Sequence, residues 1–511
     1  MGNRLGRQME LRRLQGAVVN SSRLLPGPGT LAAQFSRAAW ILFLISLPVT
    51  SFPFFPSSFG GGTLVRPLAV YPMLVLLAVA ILPRFLLRPL PRTLVAFSPF
   101  VLVALASTLL ASLQGIEASQ GISVADRTLR ALATLGVGGA IYLTVALYPQ
   151  TLEELRHSLR WLYAGFALAL LWGSLQAIYV LRFSPTWFDL LGRFQEYISI
   201  RRLFFNRISG LTYEPNWFAE QVAMILLPWL LASVLTGKSA FNWRWRRLTL
   251  EWLLLAWAVA VLPFTYSRAG LFILLALVLF SVLFFRQKRQ AGQDSNRLER
   301  RFPLRRLVEG GVLIALLAGG IYLAGGKNPF FARIWEYWER RPDEGLAQYL
   351  AGYFEYLGFG ARFTYWETGY RIYATHPALG VGLGNYAFYF DENLPERPLA
   401  VMPEVLRLVV PEEGRNRLVT SKNLYIRVLA ETGLVGAAAF LAFLMAVLGC
   451  ALFLWMSPTP DTRFCGVGSL LGMIAFALAA FSFDSFALPN MWVTFGLVTS
   501  AAYLYGRSPN R

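Results

Sequence analysis

The segment GLVGAAAFLAFLMAVLGCALFLW, residues 433–455, contains no charged side chain. The hydrocarbon core of a bilayer is about 30 Å thick, and a helix that crosses it needs roughly 20 apolar residues. The segment is therefore predicted to span a membrane. Similar runs recur along the chain, which is 56% hydrophobic and only 15% charged over 511 residues. The sequence thus predicts an all-α polytopic membrane protein.

Twelve apolar runs are predicted to be transmembrane helices. Their centres lie at 38–56, 67–83, 94–113, 128–148, 161–181, 214–235, 248–264, 269–285, 310–325, 433–455, 466–483 and 487–505. Because residues 1–37 lack an apolar core of signal-peptide length, the first span is expected to be its own insertion signal. The predicted organisation is a basic N-terminal segment 1–37, spans one to nine in 38–325, a large loop 326–424, spans ten to twelve in 425–505, and a tail 506–511.

Basic residues assign the two faces of the membrane. Clusters of arginine and lysine follow the second, sixth and eighth runs, at 84–92, 238–247 and 286–306. Loops rich in these residues stay in the cytoplasm, so twelve crossings would leave both termini cytoplasmic. The net charge of +19 is interpreted as this orientation signal, which also attracts anionic lipid headgroups, and not as a nucleic-acid surface.

The long segment 327–422 is predicted to lie on the opposite, extracytoplasmic face. It contains twelve acidic and eleven basic residues and so lacks the cytoplasmic excess of positive charge. The stretches WEYWERR and LAQYLAGYFEYLGF within it have aromatic residues at helical spacing. They predict short helices at the membrane interface, and the segment is expected to be a partly helical lid that forms part of the active site.

Four motifs fall on this predicted outer face. They are NRISGLTYEPNWFAE (206–220), TYSRAG (265–270), ARFTYWETGYRIYATHPALGVGLGNYAFY (361–389) and TSKNLYIRVLAETGLVG (420–436). Their order, with the long loop between the ninth and tenth spans, resembles the O-antigen ligase and O-antigen polymerase superfamily of bacterial envelope glycan enzymes. The resemblance covers roughly residues 200–455 closely, and the remainder of the chain through the number of spans.

The resemblance implies a class C type of membrane glycosyltransferase in the bacterial cytoplasmic (inner) membrane. Its donor would be an oligosaccharide on undecaprenyl diphosphate and its acceptor a sugar hydroxyl, with no metal and no other cofactor. Polymerisation is preferred over ligation. The expected partners are this donor, a glycan or lipid-glycan acceptor, membrane lipids and, as a candidate, a chain-length regulator, but no nucleic acid.

Two other functions stay open. A protein-directed O-oligosaccharyltransferase of the same superfamily would differ only in its acceptor. A polysaccharide transporter or flippase belongs to another class. Transporters usually show internal repeats and ionisable residues near the centres of their spans, whereas the ionisable residues here concentrate at the predicted outer mouths.

Cations are expected to bind the diphosphate, because the leaving group gains negative charge as the glycosidic bond forms. Arg207 and Arg268 are the first candidates, since a guanidinium binds phosphate oxygens through two parallel hydrogen bonds. Each of them could instead anchor the chain at the membrane interface. Arg362 is a further candidate for the diphosphate, with a salt bridge inside the loop as its alternative.

Lys422 occupies the position at which the ligases of the resembling family have a histidine. It is interpreted as another cation that binds the diphosphate, because an ordinary lysine with a pKa of about 10.4 is protonated at neutral pH. A general base and a membrane anchor are the alternatives. Glu214 is then the leading general base, although an acidic residue at a helix start also favours the helix by itself. Glu431 is expected to brace the arginines or the mouth of the helix.

His376 and Asn423 are accessory candidates, and a structural hydrogen bond is the favoured role of His376. The glycines at 380, 382 and 384 suggest a loop that binds phosphate through its backbone. Their spacing is not that of a phosphate-binding loop, however, and no strand precedes them. They are predicted to form a tight turn that packs against the spans.

Overall fold

The structure is a computed structural model that describes residues 30–55, 64–241, 243–245, 248–285, 319, 322, 345–396, 402–410, 418–457 and 459–507. This part of the chain is helical apart from a short ribbon of two strands, Arg244–Trp245 and Leu248–Thr249. Its longer helices are α1 (Leu31–Ser46), α2 (Val70–Leu87), α3 (Arg92–Ser112), α4 (Val124–Leu147), α5 (Leu152–Leu181), α6 (Pro185–Ile198), α7 (Pro215–Thr236), α8 (Leu250–Val261), α9 (Arg268–Phe280), α10 (Leu346–Tyr356), α11 (Phe359–Thr375), α12 (Pro403–Val409), α13 (Leu424–Met456), α14 (Pro460–Ala479) and α15 (Pro489–Gly506).

Seven of the described helices are long and apolar enough to cross a membrane, namely α2, α3, α4, α5, α7, α13 and α14. Helices α1, α8 and α9 are apolar but shorter. The polytopic membrane class is therefore confirmed, while the number of twelve spans stays a prediction. The ninth predicted run, 310–325, lies outside the described residues except for Gly319 and Tyr322, as do the loop 286–306 and the stretch WEYWERR.

The first helix ends earlier than the sequence predicts. Helix α1 ends at Ser46, although the apolar run continues to position 56. The next two residues are Leu47 and Pro48, and proline both lacks a backbone N–H and disfavours the helical conformation of the residue before it. A prediction from apolar residues alone therefore makes this helix too long at its C-terminal end.

Helix α15 lies at the centre of the described bundle and packs against α4, α13 and α14. The side chain of Trp492 is fully buried and contacts the rings of Phe97 and Tyr142. A Cβ atom at Gly138 would lie 2.1 Å from the Trp492 indole nitrogen. Small residues at such contacts let membrane helices approach closely, since apolar surface alone gives little attraction between helices in lipid.

One end of the bundle gathers the beginnings of α4, α7, α9 and α13 with the ends of α3 and α14, and is called the site end. The backbone N–H of Leu424 at the start of α13 bonds to the carbonyl of Ala480 after α14, at 2.8 Å. The side chain of Arg127 in the first turn of α4 bonds to the carbonyl of Gly384, at 3.0 Å. The predicted outer segment therefore packs onto this end.

Helix α13 is broken at Gly433, which has φ 62° and ψ −167°, a conformation that is essentially restricted to glycine. The residues after His376 bond to both sides of the break. Val381 N–H donates to the carbonyl of Ala430 at 3.0 Å, and Leu434 N–H donates to the carbonyl of Pro377 at 2.8 Å. The break thus divides a short helix at the site end from the long apolar run that the sequence begins at 433.

The glycines at 380, 382 and 384 all have positive φ angles, between 66° and 84°. A Cβ at Gly380 would lie 2.5 Å from the carbonyl oxygen of Ala430, and one at Gly382 would lie 2.7 Å from the Cβ of Ala111. The structure therefore bears out the interpretation of a tight turn that packs against the spans.

Candidate active site

Arg207 lies in the loop between α6 and α7, where its side chain connects two turns at the site end. Its Nε donates to the carbonyl of Thr265 at 2.8 Å, and one Nη donates to Oδ1 of Asn216 at 2.9 Å. Asn216 belongs to the E-P-N sequence that begins α7, and Thr265 precedes α9. These bonds hold the guanidinium at the junction of α7 and α9.

Arg268 is the first residue of α9, whose N-cap is Ser267. The Ser267 hydroxyl accepts a hydrogen bond from Gly270 N–H at 3.3 Å. Helix α9 begins very close to α7, since a Cβ at Gly270 would lie 2.5 Å from the Cβ of Ala219. The Arg268 side chain also donates to the carbonyl of Leu357, immediately before α11.

Charges converge around Arg207. The pKa of Arg207 is lowered to about 10. Burial is the largest cause; the charge of Glu214 raises the pKa, and the charges of Arg268 and Arg201 lower it. The guanidinium is still protonated at neutral pH. Three arginines close enough to repel one another, with one carboxylate among them, form a site suited to an anion with more than one negative charge.

Glu214 is the N-cap residue of α7, but its side chain makes no capping hydrogen bond. Its carboxylate instead accepts a bond from Arg201 at 3.0 Å, and 36% of each side chain is exposed. The structure therefore places Glu214 and Arg268 near Arg207, with Arg201 as the direct partner of the carboxylate.

Arg362 and Lys422 are also in contact. One Nη of Arg362 donates to the carbonyl of Lys422 at 3.0 Å and to that of Ser482 at 3.3 Å. Lys422 has a positive φ of 50°, and its backbone N–H donates to Oδ2 of Asp484 at 2.7 Å. The loop between α14 and α15 thus fixes both predicted cations.

The amine of Lys422 contacts Glu404 of α12 and lies 4.9 Å from the centre of the Tyr365 ring. Burial raises the pKa of Glu404, but the charge and hydrogen bond of Lys422, with a smaller contribution from Arg362, hold it below its ordinary value. The carboxylate is therefore ionised at neutral pH. The amine of Lys422 thus forms an ion pair with an ionised carboxylate.

Asn423 and His376 make the contacts of structural residues. The Asn423 side chain caps α13 by accepting bonds from the backbone of Tyr425 at 2.9 Å and of Ile426 at 3.2 Å. His376 follows the last residue of α11, bonds through Nδ1 to the hydroxyl of Thr375 at 3.0 Å, and packs its ring against Tyr389. Both side chains thus stabilise the ends of helices that support the site.

Residues 253–441 match the family model described as O-Antigen ligase. The match supports the resemblance to the O-antigen ligase and polymerase superfamily. The matched range includes Arg268, Arg362 and Lys422, whereas Arg207 and Glu214 precede it. The comparison with curated proteins gave no match.

One buried carboxylate near the site was not among the predicted site residues. Glu220 in α7 is 1% exposed, and its Oε1 accepts a bond from the Ser482 hydroxyl at 2.7 Å. No described protein group hydrogen-bonds to its Oε2. Arg362, Glu214 and Asp484 are the charged groups near it.

The sequence contains a signal for Glu220, because an ionisable residue inside an apolar span usually has a function. A second residue that was not among the candidates is Arg427, which forms a buried ion pair with Glu431 at 2.9 Å. The sequence indicates this pair because the two residues are four positions apart on one helix, where side chains of opposite charge can meet. Arg427 also donates to the carbonyl of Asp484, so the pair braces the mouth of α13 as expected for Glu431.

The described residues contain no group of three or more His, Cys, Asp or Glu side chains placed to hold a metal ion. The chemically active groups that they do bring together are guanidinium, ammonium and carboxylate. Such a set can bind an anion and accept a proton.

Proposed function

We propose that this protein transfers or polymerises undecaprenyl-diphosphate-linked oligosaccharide onto a sugar acceptor at the outer face of the bacterial cytoplasmic membrane. The observation that carries the proposal is the convergence of Arg207 and Arg268 with Glu214 where α7 and α9 begin. The O-antigen ligase domain supports glycosyl transfer as the type of reaction. Polymerisation remains the preferred form.

The reaction needs one bond to form and one to break. An acceptor hydroxyl attacks the anomeric carbon of the donor, and the bond from that carbon to the diphosphate oxygen breaks with its electron pair on the oxygen. Arg207 and Arg268 stabilise the charge that develops there. Because Thr265 and Asn216 already orient Arg207, its guanidinium needs little rearrangement to meet the phosphates.

The proton of the acceptor hydroxyl passes to a carboxylate in this proposal. Glu214 is the first choice since it is partly exposed and lies beside the arginines. Glu220 is the second choice because one of its oxygens accepts no hydrogen bond from a described protein group. Lys422 acts as a cation that contributes to donor binding. When the donor binds, the diphosphate replaces part of the contact of Lys422 with Glu404.

An apolar cavity of about 370 Å³ beside the arginine loop suits the lipid part of the donor. Its lining includes Trp172 and Leu175 of α5 and Leu211 of the loop itself. Leu211 stands between Arg207 and Glu214 in the sequence. A polyprenyl chain in this cavity would place the attached diphosphate near the arginines.

A single assay distinguishes the candidate functions. Purified protein is supplied with a lipid-diphosphate oligosaccharide and an acceptor, and the products are separated by size and acceptor. The expected result is a new glycosidic bond with release of the lipid diphosphate. Glycan on a protein acceptor would instead identify an O-oligosaccharyltransferase, and donor that crosses a bilayer without bond cleavage would identify a flippase.

A further inference from the structure

A second and larger cavity, of about 840 Å³, lies between α1, α5 and α8. Its walls are mainly aromatic and aliphatic and include Trp40, Trp161, Phe241, Leu253 and Trp257. The volume falls within the range of cavities that bind small molecules, about 300–1,000 Å³. Nothing in the proposed glycosyl transfer uses this cavity.

The cavity lies at the end of the bundle opposite the active site. Helix α7 runs from Pro215 at the site end to Thr236. Phe241, five residues after this end of α7, lines the cavity. Helices α5 and α8 both begin there, at Leu152 and Leu250. The positive-inside rule predicts that this end faces the cytoplasm.

Basic side chains line one part of the cavity. Arg37, His157 and Arg160 belong to its lining, against Glu154 as the acidic lining residue. One N–H of Arg160 donates to the carbonyl of Ala240. This bond holds the guanidinium at the wall of the cavity. Arg160 has five N–H donors in all, so an anion can share it.

Further cations surround the same region. The guanidinium carbon of Arg84 lies 5.0 Å from the ring centre of Tyr148, a lining residue. Arg156 of α5 donates to the carbonyl of Ser239 at 2.7 Å. Glu154 accepts a bond from the backbone N–H of Gln150 at 2.8 Å. The buried carboxylate of Glu251 accepts a bond from Ala240 N–H at 2.7 Å. Four arginines therefore face two carboxylates, and the balance of charge around the cavity is positive.

The other part of the cavity opens towards the hydrocarbon region. Trp161 and Leu253 line it and are 41% and 50% exposed, on helices whose exposed faces would contact lipid. A molecule that fills this space from the bilayer needs an apolar body and an anionic head. An acidic glycerophospholipid has both, and anionic lipids are concentrated in the cytoplasmic leaflet.

We propose that this cavity is a binding site for an acidic phospholipid. The phosphate headgroup is held by Arg37, His157 and Arg160, and an acyl chain lies along Trp161 and Trp257. The site is independent of the active site and of the reaction proposed there.

Native mass spectrometry of protein released from bilayers with equal amounts of phosphatidylglycerol and phosphatidylcholine tests this site. The wild-type protein should retain phosphatidylglycerol preferentially. The double variant Arg37→Gln, Arg160→Gln should lose this preference, by about five-fold for each cation removed. Arg92→Gln removes a positive charge at the same end but outside the lining, and it should retain the lipid as the wild type does.

Filling the cavity provides a test without a change in charge. Ala164 belongs to the lining, and Ala164→Phe should reduce retention of phosphatidylglycerol while thermal unfolding shows that the variant is folded. Equal retention of the two lipids by the wild type would overturn the proposal. So would undiminished retention in either cavity variant, or the same loss in Arg92→Gln, which would indicate attraction to the whole basic face.

Discussion

Arg362 donates a hydrogen bond to the backbone carbonyl of Lys422, at 3.0 Å. The contact joins α11 to the residue before the cap of α13, and it does not involve the lysine side chain. A substitution at 422 therefore changes the charge in the site while the acceptor of Arg362 remains. This makes Lys422 a suitable position for testing what the positive charge does.

Substitutions at Lys422 should distinguish a cation from a base. We expect Lys422→Arg to keep substantial transfer activity, Lys422→Ala to raise KM for the donor, and Lys422→His to gain nothing near neutral pH. The reason is that arginine retains the charge but cannot give up its proton. Steady-state kinetics over a range of pH would measure this.

Glu404→Gln is the matched control, because it removes the partner of Lys422 and leaves the lysine in place. An inactive arginine variant beside an active histidine variant, with the rising limb of the pH profile moved to lower pH, would make Lys422 the general base.

The two loop arginines should be required for transfer. Arg207→Ala and Arg268→Ala are each expected to lower kcat by roughly 10²–10³, the usual cost of removing one donor to a developing anion. Lysine at either position should restore only part of the activity because the planar fork is lost. Arg182→Ala, an exposed arginine at the end of α5, is the control and should transfer normally.

Because Arg207 also joins two turns, protein abundance and thermal unfolding of its variants need to be measured. Normal transfer by both alanine variants would indicate that these arginines anchor the chain at the membrane interface and do not bind the diphosphate.

Glu214→Gln and Glu220→Gln should differ in kinetics. Glutamine keeps the shape of the side chain but cannot accept the proton, so loss of the general base should lower kcat by roughly 10²–10⁴ with little change in donor KM. We expect this pattern for Glu214→Gln. The reverse result, with Glu214→Gln nearly normal and Glu220→Gln inactive, would assign proton transfer to the buried carboxylate.

The contact of Lys422 with Glu404 should stabilise α12 in a manner that depends on pH. The pKa of Glu404 in the folded protein is lowered, so its contribution is complete above the ordinary carboxyl pKa and is lost as the pH falls through the folded value. The effect should be small because 51% of the Glu404 side chain is exposed.

Hydrogen exchange of residues 403–409 would detect this effect. Lys422→Ala should accelerate exchange at pH 7. The difference from the wild type should shrink as the pH falls below the ordinary carboxyl pKa, about 4.3, and disappear below the lowered pKa of Glu404. A difference that remained unchanged in acid would show that the pair does not hold α12.

Cysteine labelling would test the orientation of the chain in the membrane. In a background with Cys450 and Cys465 replaced by alanine, an impermeant maleimide added to intact spheroplasts should label Asp391→Cys but not Arg92→Cys. The expectation follows from the basic clusters that flank the spans. The opposite pattern would move the active site to the cytoplasmic face.

The sequence alone determined the membrane class and the order of the site motifs. Apolar runs such as 433–455 are a local property, and the cost of leaving backbone groups unpaired in lipid makes each of them a helix. The motif resemblance likewise depended on residues near in sequence. It placed Arg207, Arg268 and Lys422 among the candidates before any contact was known.

Only the tertiary structure decided the partners of these residues. Lys422 contacts Glu404, which is 18 positions away, and Glu220 bonds to Ser482, which is 262 positions away. Such pairs depend on which helix ends pack together, and a hydropathy pattern does not predict that arrangement. The break at Gly433 also depends on tertiary contacts, because the segment after His376 hydrogen-bonds to both sides of it.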